Sequence, residues 1–195
     1  NKTPKGLAKN NGKPVDAIIK RDIRELLIIS ANLPYNRLYE VIGQQKLNEI
    51  LWNAGLTDLQ LTHRLSIFLT PQENKYTGGV ILKKGKKQLK LPAQTSELDF
   101  TTPNSTPILI GKSHYLQGKK INQPMDFQSK NKISIQNLQD QLIMMVRPDI
   151  QTEKKGFSLT TPQHQFLRET LGQLPYESKD PIWPASVFKH YRIKS

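Results

Sequence analysis

Residues 18–66 run IIKRDIRELLIISANLPYNRLYEVIGQQKLNEILWNAGLTDLQLTHRLS and hold three apolar periodicities separated by abrupt stops. Ile19, Ile23, Leu26 and Leu27 fall at i, i+4, i+7 and i+8, one face of a helix that Pro14 suits as a first turn. Asp16, Asp22 and Glu25 alternate with Lys20, Arg21 and Arg24 on its other faces. Pro34 disfavours a helical Leu33, so this helix is expected to stop near Ser30. A second helix is expected to open with Asn32 or Leu33 just before it, Pro34 near its first position, and Leu38 and Val41 facing inward. Gly43 fits the left-handed position that ends it. Leu47, Ile50, Leu51 and Ala54 then form the next stripe, closed in the same way by Gly55. Leu59 and Leu61 alternate with polar residues, a short extended piece leading into Thr62-His63-Arg64.

Outward from this stretch, residues 1–13 are rich in Lys, Asn, Gly and Pro and read as a surface arm. Pro71 to Gly79 reads as a loop broken by Gly78-Gly79. From Val80 the period changes to two: Val80-Ile81-Leu82 and Leu89 to Leu91 predict two strands joined by a lysine-flanked turn. Residues 92–107 are rich in Ser, Thr, Pro and Asn and read as irregular. Ile108-Leu109-Ile110, Tyr115-Leu116, Ile121 and Pro124 to Phe127 predict a second hairpin. Helices resume with Ile135, Leu138, Leu142 and Met145 on one face, stopped by Pro148. Thr160, Pro162 and Gln163 predict a capped start, with Phe166, Leu167, Thr170, Leu171 and Leu174 as the buried stripe. The expected organisation is one domain: a helical part over 14–75, a β-rich insertion over 76–127, a second helical part over 128–178, and an irregular tail over 179–195.

The hydrophobic fraction of 36% and charged fraction of 23% belong to a globular chain. The net charge of +13 raises an anionic partner, but the lysines are scattered, and the dense group Lys83, Lys84, Lys86, Lys87 and Lys90 reads as a solvated hairpin tip. No nucleic-acid partner is expected. The absence of cysteine removes disulfide, thiolate and zinc-thiolate chemistry. No run approaches the ~20 apolar residues that a membrane helix needs. The start at Asn1, without a charged and apolar leader, reads as an internal fragment.

His63, His114, His164 and His190 are far apart in sequence and none has a metal-ligand spacing, so no metal and no cofactor is expected. What remains is Ser30-Ala31-Asn32. Taken alone these are capping residues between two helices. The wider pattern, SANLPYNRLYEVIGQQKLNEILWNAGL with THRLSIFLTPQENKYT and INQPMDFQSKNKIS, resembles the class A β-lactamase family and related serine hydrolases of the penicillin-binding superfamily. The resemblance runs from about Asp16 to Ser178. In that family a helix ends in Ser-Asp-Asn and a second Asn follows four residues later, as Asn36 does here.

The resemblance implies an α+β fold of the β-lactamase/transpeptidase kind, represented here mainly by its helical subdomain, with an inserted segment rich in β-hairpins and the main antiparallel sheet largely missing. It implies a serine acyl-transfer enzyme, exported to the periplasm, acting on a β-lactam or peptide-like small molecule. Ser30 would relay a proton toward the leaving nitrogen, and Asn32 would hold the catalytic lysine and the substrate amide. Ala31 departs from the usual Asp. No serine precedes Ser30, so the nucleophilic Ser-x-x-Lys is expected upstream and the Lys-Thr/Ser-Gly strand downstream. Ser129-Lys130-Asn131-Lys132 and Ser186-Val187-Phe188-Lys189 have the nucleophile's letters in the wrong order along the chain and are read as coincidence. Lys83-Lys84-Gly85 and Lys154-Lys155-Gly156 are read as surface turns. Glu73 is a weak match to the deacylating base. The alternatives are a basic, non-catalytic binding module and an inactive scaffold relative.

Overall fold

The computed structural model describes residues 15–84, 87–100, 106–116, 118–150, 156–184 and 186. The surface arm over 1–13, Lys154-Lys155, Val187 to Lys189 and His190 lie outside them. Among the described residues, six α-helices and four two-stranded antiparallel sheets make an α+β fold.

Helix α1 (Val15–Ile29), α2 (Asn32–Ile42) and α3 (Gln44–Asn53) follow one another almost without linkers. Gly43 makes the second junction possible. Its φ of 86° ends α2, its N–H closes on the Tyr39 carbonyl at 2.9 Å, and it precedes the first residue of α3. The left-handed conformation is what demands glycine there; a Cβ would stand 2.6 Å from Gln94 Oε1, at the end of a side chain that can move aside. The first junction differs from expectation in register. Helix α2 opens at Asn32, two residues before Pro34, and Leu33 is helical. Proline is tolerated there because the N–H groups of a first helical turn have no intrahelical acceptor to lose.

The inward faces also differ from the apolar stripes. In α1 the buried residues are Ile28 and the charged Asp22. In α2 the buried residues are Pro34, Asn36, Tyr39 and Glu40, while Leu38 and Val41 are only half-buried. In α3 they are Gln44 and Asn48, and Ile50 is exposed. Buried polar side chains on consecutive helices require partners, and each of these has one. Arg37 donates from Nε to Asp22 Oδ1 at 2.9 Å and from Nη2 to both Asp22 and Glu25, which locks α1 against α2. The Asp22 carboxylate holds the Arg37 guanidinium above its ordinary pKa.

Pro71 to Gly79, expected as a loop, begins with the short helix α4 (Pro71–Lys75) and continues as β1 (Tyr76–Thr77), which pairs with β4 (Gln94–Thr95). Strands β2 (Val80–Lys84) and β3 (Lys87–Leu91) form the expected lysine hairpin, with Val80 opposite Leu91 and Leu82 opposite Leu89. The second hairpin is nested. β5 (Leu109–Ile110) pairs with β8 (Met125–Asp126), and β6 (His114–Leu116) pairs with β7 (Lys119–Ile121) between them. Helices α5 (Ile135–Val146) and α6 (Thr161–Gly172) follow, each where a helix is expected.

The apolar core is small: Ala54, Leu56, Leu59 and Met144, with Leu51, Leu61, Ile133 and Phe157 packed against it. It joins the end of α3 to α5. The apolar face expected of α5 is largely exposed, with Ile135, Leu138 and Leu142 exposed at 87, 46 and 47% and Met145 half-buried. Among the described residues, no helix is long and apolar enough to cross a membrane.

Candidate functional site

Ser30 and Asn32 stand at the α1–α2 junction, and both are exposed. Helix α1 does not end in the usual glycine. Ser30 itself takes the left-handed conformation, φ 54°, and the Ala31 N–H turns back to the Glu25 carbonyl at 3.1 Å. An L-residue in this region costs roughly 1–2 kcal/mol. Asn32 is the first residue of α2 rather than its cap; Ala31 holds the cap position and offers no side-chain hydrogen bond. The capping role open to Ser30 and Asn32 is therefore not the one they play. The Asn32 carboxamide reaches across the chain, donating from Nδ2 to Ser66 Oγ at 2.7 Å.

Ser66 also has φ 54°, and Ser30 and Ser66 are the positive-φ residues other than glycine among those described. Two exposed polar side chains, Asn32 and Ser66, thus meet, and the backbone is strained at Ser66 and at Ser30, two residues before Asn32. Such outliers persist where the surrounding structure over-determines them, and the extended run before Ser66 supplies that constraint.

Asp58 to Leu65 lies in no sheet apart from one bridge, Gln60 to Lys132, yet each of its backbone N–H groups has an acceptor. Most are asparagine oxygens. Asn137 Oδ1 takes Asp58 N–H at 2.8 Å, Asn48 takes Leu61 at 2.9 Å, and Asn131 takes Thr62 at 2.7 Å and His63 at 3.0 Å. Asn74 takes Arg64 at 2.9 Å, and Asn36 takes Leu65 at 2.8 Å. Three of these amides return the bond: Asn48 Nδ2 donates to the Leu61 carbonyl at 2.9 Å, Asn131 to His63 at 3.0 Å, and Asn36 to Leu65 at 2.8 Å. A carboxamide carries the donor and acceptor of a peptide unit, so each of these side chains acts as one residue of a missing neighbouring strand. Gln44 and the Trp52 indole satisfy the Thr62 and Leu59 carbonyls, both at 2.7 Å.

One charged pair anchors the same run from beneath. Arg64, fully buried, donates to Glu40 Oε2 at 2.5 Å and to the Tyr76 carbonyl at 2.9 Å, and its guanidinium lies 4.8 Å from the centre of the Tyr39 ring. The other oxygen of Glu40 accepts the Gly78 N–H at 2.6 Å. Tyr35, on the same helix, is pushed up to about 12 by burial, against the lowering effect of its Asn131 contact. Burial raises Tyr39 as well.

Glu73 occupies the third position of α4, where its Oε2 accepts from Thr70 N and from Thr70 Oγ1, both at 2.8 Å. These bonds hold its carboxyl below the usual range, so Glu73 is a cap and a weaker base than a free glutamate. Ser129 to Lys132 lies in a turn followed by the bridge to Gln60, not on one helical turn where Ser-x-x-Lys would share a face. Its Asn131 is already engaged with Thr62 and His63. Ser186 is exposed, and the residues after it lie outside those described. His63 is occupied locally, with Nδ1 at 2.7 Å from the Arg64 carbonyl. Among the described residues, no group of three or more His, Asp or Glu side chains is placed to hold a metal ion.

Ser66 and the amide frame are absent from the sequence reading. The available signal is the recurrence of Asn or Gln four residues apart on one helical face, as at Asn32 and Asn36, and at Gln44 and Asn48. No family model, curated protein or solved structure matches this chain.

Proposed function

We propose that this chain forms part of a serine acyl-transfer enzyme of the β-lactamase and penicillin-binding kind, acting on a β-lactam or a related amide or ester. The observation that carries the reading is the placement of Ser30 and Asn32: both exposed, two residues apart at the α1–α2 junction, with Ser30 on strained backbone. Strain kept at exposed polar residues, where glycine would relieve it, is typical of a site rather than of packing.

In this reading a nucleophilic serine elsewhere in the full-length protein attacks the substrate carbonyl. The tetrahedral oxyanion collapses, the C–N bond breaks, and the leaving nitrogen receives its proton through the Ser30 hydroxyl. The Asn32 carboxamide aligns the substrate amide. Water then cleaves the ester and regenerates the serine. The exported location belongs to the same proposal. Labelling of the full-length protein with a fluorescent penicillin, followed by mapping of the acylated residue, tests it. Acylation at a serine followed by x-x-Lys is expected; no acylation at any serine would sink the enzyme reading.

A second reading, a basic binding surface, has one observation in its favour. Arg21, Arg24, Arg37, Arg64 and Arg147 are each paired with a carboxylate, whereas Lys87, Lys90, Lys119 and Lys120 are exposed. It predicts polyanion binding that weakens steeply with salt and is lost in K87E/K90E.

A further inference from the structure

We propose that Ser66 is a positioning residue of this site: its hydroxyl fixes the Asn32 carboxamide, and its left-handed backbone is what brings that hydroxyl into reach. The catalytic consequence rests on the acyl-transfer reading, whereas the geometry stands apart from it. Asn32 and Asn36 are four residues apart on α2, so their side chains leave the same face of the helix. They engage consecutive residues of the facing run. Asn36 takes both backbone groups of Leu65, and Asn32 takes the Ser66 hydroxyl. With Leu65 clamped on both its donor and its acceptor, the next residue has little freedom, and φ 54° turns the Ser66 side chain back toward α2. Glycine would accept this conformation without the cost to an L-residue. A glycine, however, would take away the hydroxyl that holds the Asn32 amide.

Asn32 and Ser66 are both exposed, and water could satisfy either group, so the bond is not needed to rescue a buried polar atom. Its effect is on orientation. An exposed carboxamide samples several rotamers, and one tied at Nδ2 presents its Oδ1 in one direction. For a side chain that must align a substrate amide, this removes an ordering cost that would otherwise fall in the acylation step.

The test uses two variants, S66A and S66G. Both remove the hydroxyl, and S66G also relaxes the backbone, so an effect common to both belongs to the hydroxyl. In side-chain amide NMR of the 195-residue chain, the Asn32 signals are expected to move to the position of a free amide in both variants, with the Asn36 signals unmoved. In the full-length protein, the acylation rate constant with a fluorescent penicillin is expected to fall about tenfold, with the dissociation constant of the initial complex unchanged. Unmoved Asn32 signals together with wild-type acylation overturn the proposal and leave the acyl-transfer reading standing. Wild-type protein that is never acylated overturns that reading, and the Asn32 signals still decide whether Ser66 holds the amide. Loss of the fold in both variants also counts against the proposal, since a hydroxyl that only positions Asn32 is not required for folding.

Discussion

Ser30 sits in a conformation that its own side chain opposes, and among the described residues nothing bonds its hydroxyl to hold it there. The substitution S30G should therefore stabilise the chain, by about 0.5–1 kcal/mol after allowing for the extra freedom of glycine in the unfolded state. In the full-length protein the same change should abolish acylation. Urea unfolding and penicillin labelling of S30G check the two halves, and a destabilised S30G would contradict the strain. Asn36 is the opposite case, because its side chain is buried and bonded at both its oxygen and its nitrogen. N36A leaves the Leu65 N–H and C=O without partners and should cost about 2–3 kcal/mol in urea. N36D, nearly the same shape, should cost at least as much, since its carboxylate faces the Leu65 carbonyl with no proton to give. Pattern analysis places Asn36 and Asn48 on helices but not in the interior, because it scores burial by apolarity. The carboxamide partners lie far away in sequence, as Asn131 does from Thr62.

At the scale of elements, the helices are legible where stop signals are local. Gly43 and Gly55 both have positive φ, and the helix expected from Thr160 carries the predicted capping box. Helix α4 was hidden by the Gly78-Gly79 breaker that follows it, although Thr70-Pro71-Gln72-Glu73 is itself a capping box with proline at the first helical position. The apolar face of α5 is legible as a periodicity, and burial follows a different set of positions. Leu138 is exposed while Met144 and Asn137 are buried. L138Q should therefore change stability by less than about 0.5 kcal/mol, while M144A, which empties part of the core, should cost about 2–5 kcal/mol. The extended run gives a sharper test of the frame. Amide protons of Leu61 to Leu65 are expected to exchange with solvent at rates typical of a sheet, although the run has no ladder. Free exchange in that run would contradict the asparagine contacts.

For the whole molecule, Arg64 and Glu40 join α2, the run before Ser66 and the turn at Gly78 through one buried pair. R64M removes one charge and strands the other, and should cost about 3–5 kcal/mol. The double change R64M/E40L should recover much of that loss, since it leaves no orphan charge. The tyrosines make the same region sensitive to alkali. Tyr35 in the folded chain keeps its proton up to about pH 12, whereas in the unfolded chain it is lost near 10. The raised folded pKa means that its stabilising share is complete below about pH 10 and disappears as the pH rises to about 12. Unfolding followed by tyrosinate absorbance should show one cooperative step in that window. Y35F should move the step to higher pH.

The asparagine frame has one more consequence, which concerns association rather than stability. An extended segment with free N–H and C=O rows invites a second chain to add alongside it, and a true ladder can shift its pairing by a pair of residues. Here the backbone groups from Leu61 to Leu65 meet the carboxamides of Asn36, Gln44, Asn48, Asn74 and Asn131, and the Arg64 carbonyl meets the His63 ring. Such contacts do not repeat, so they cannot slip, and they leave no row for an incoming strand to read. The run is held without a ladder and loses the capacity to recruit, which fixes where Ser66 stands without a sheet beside it.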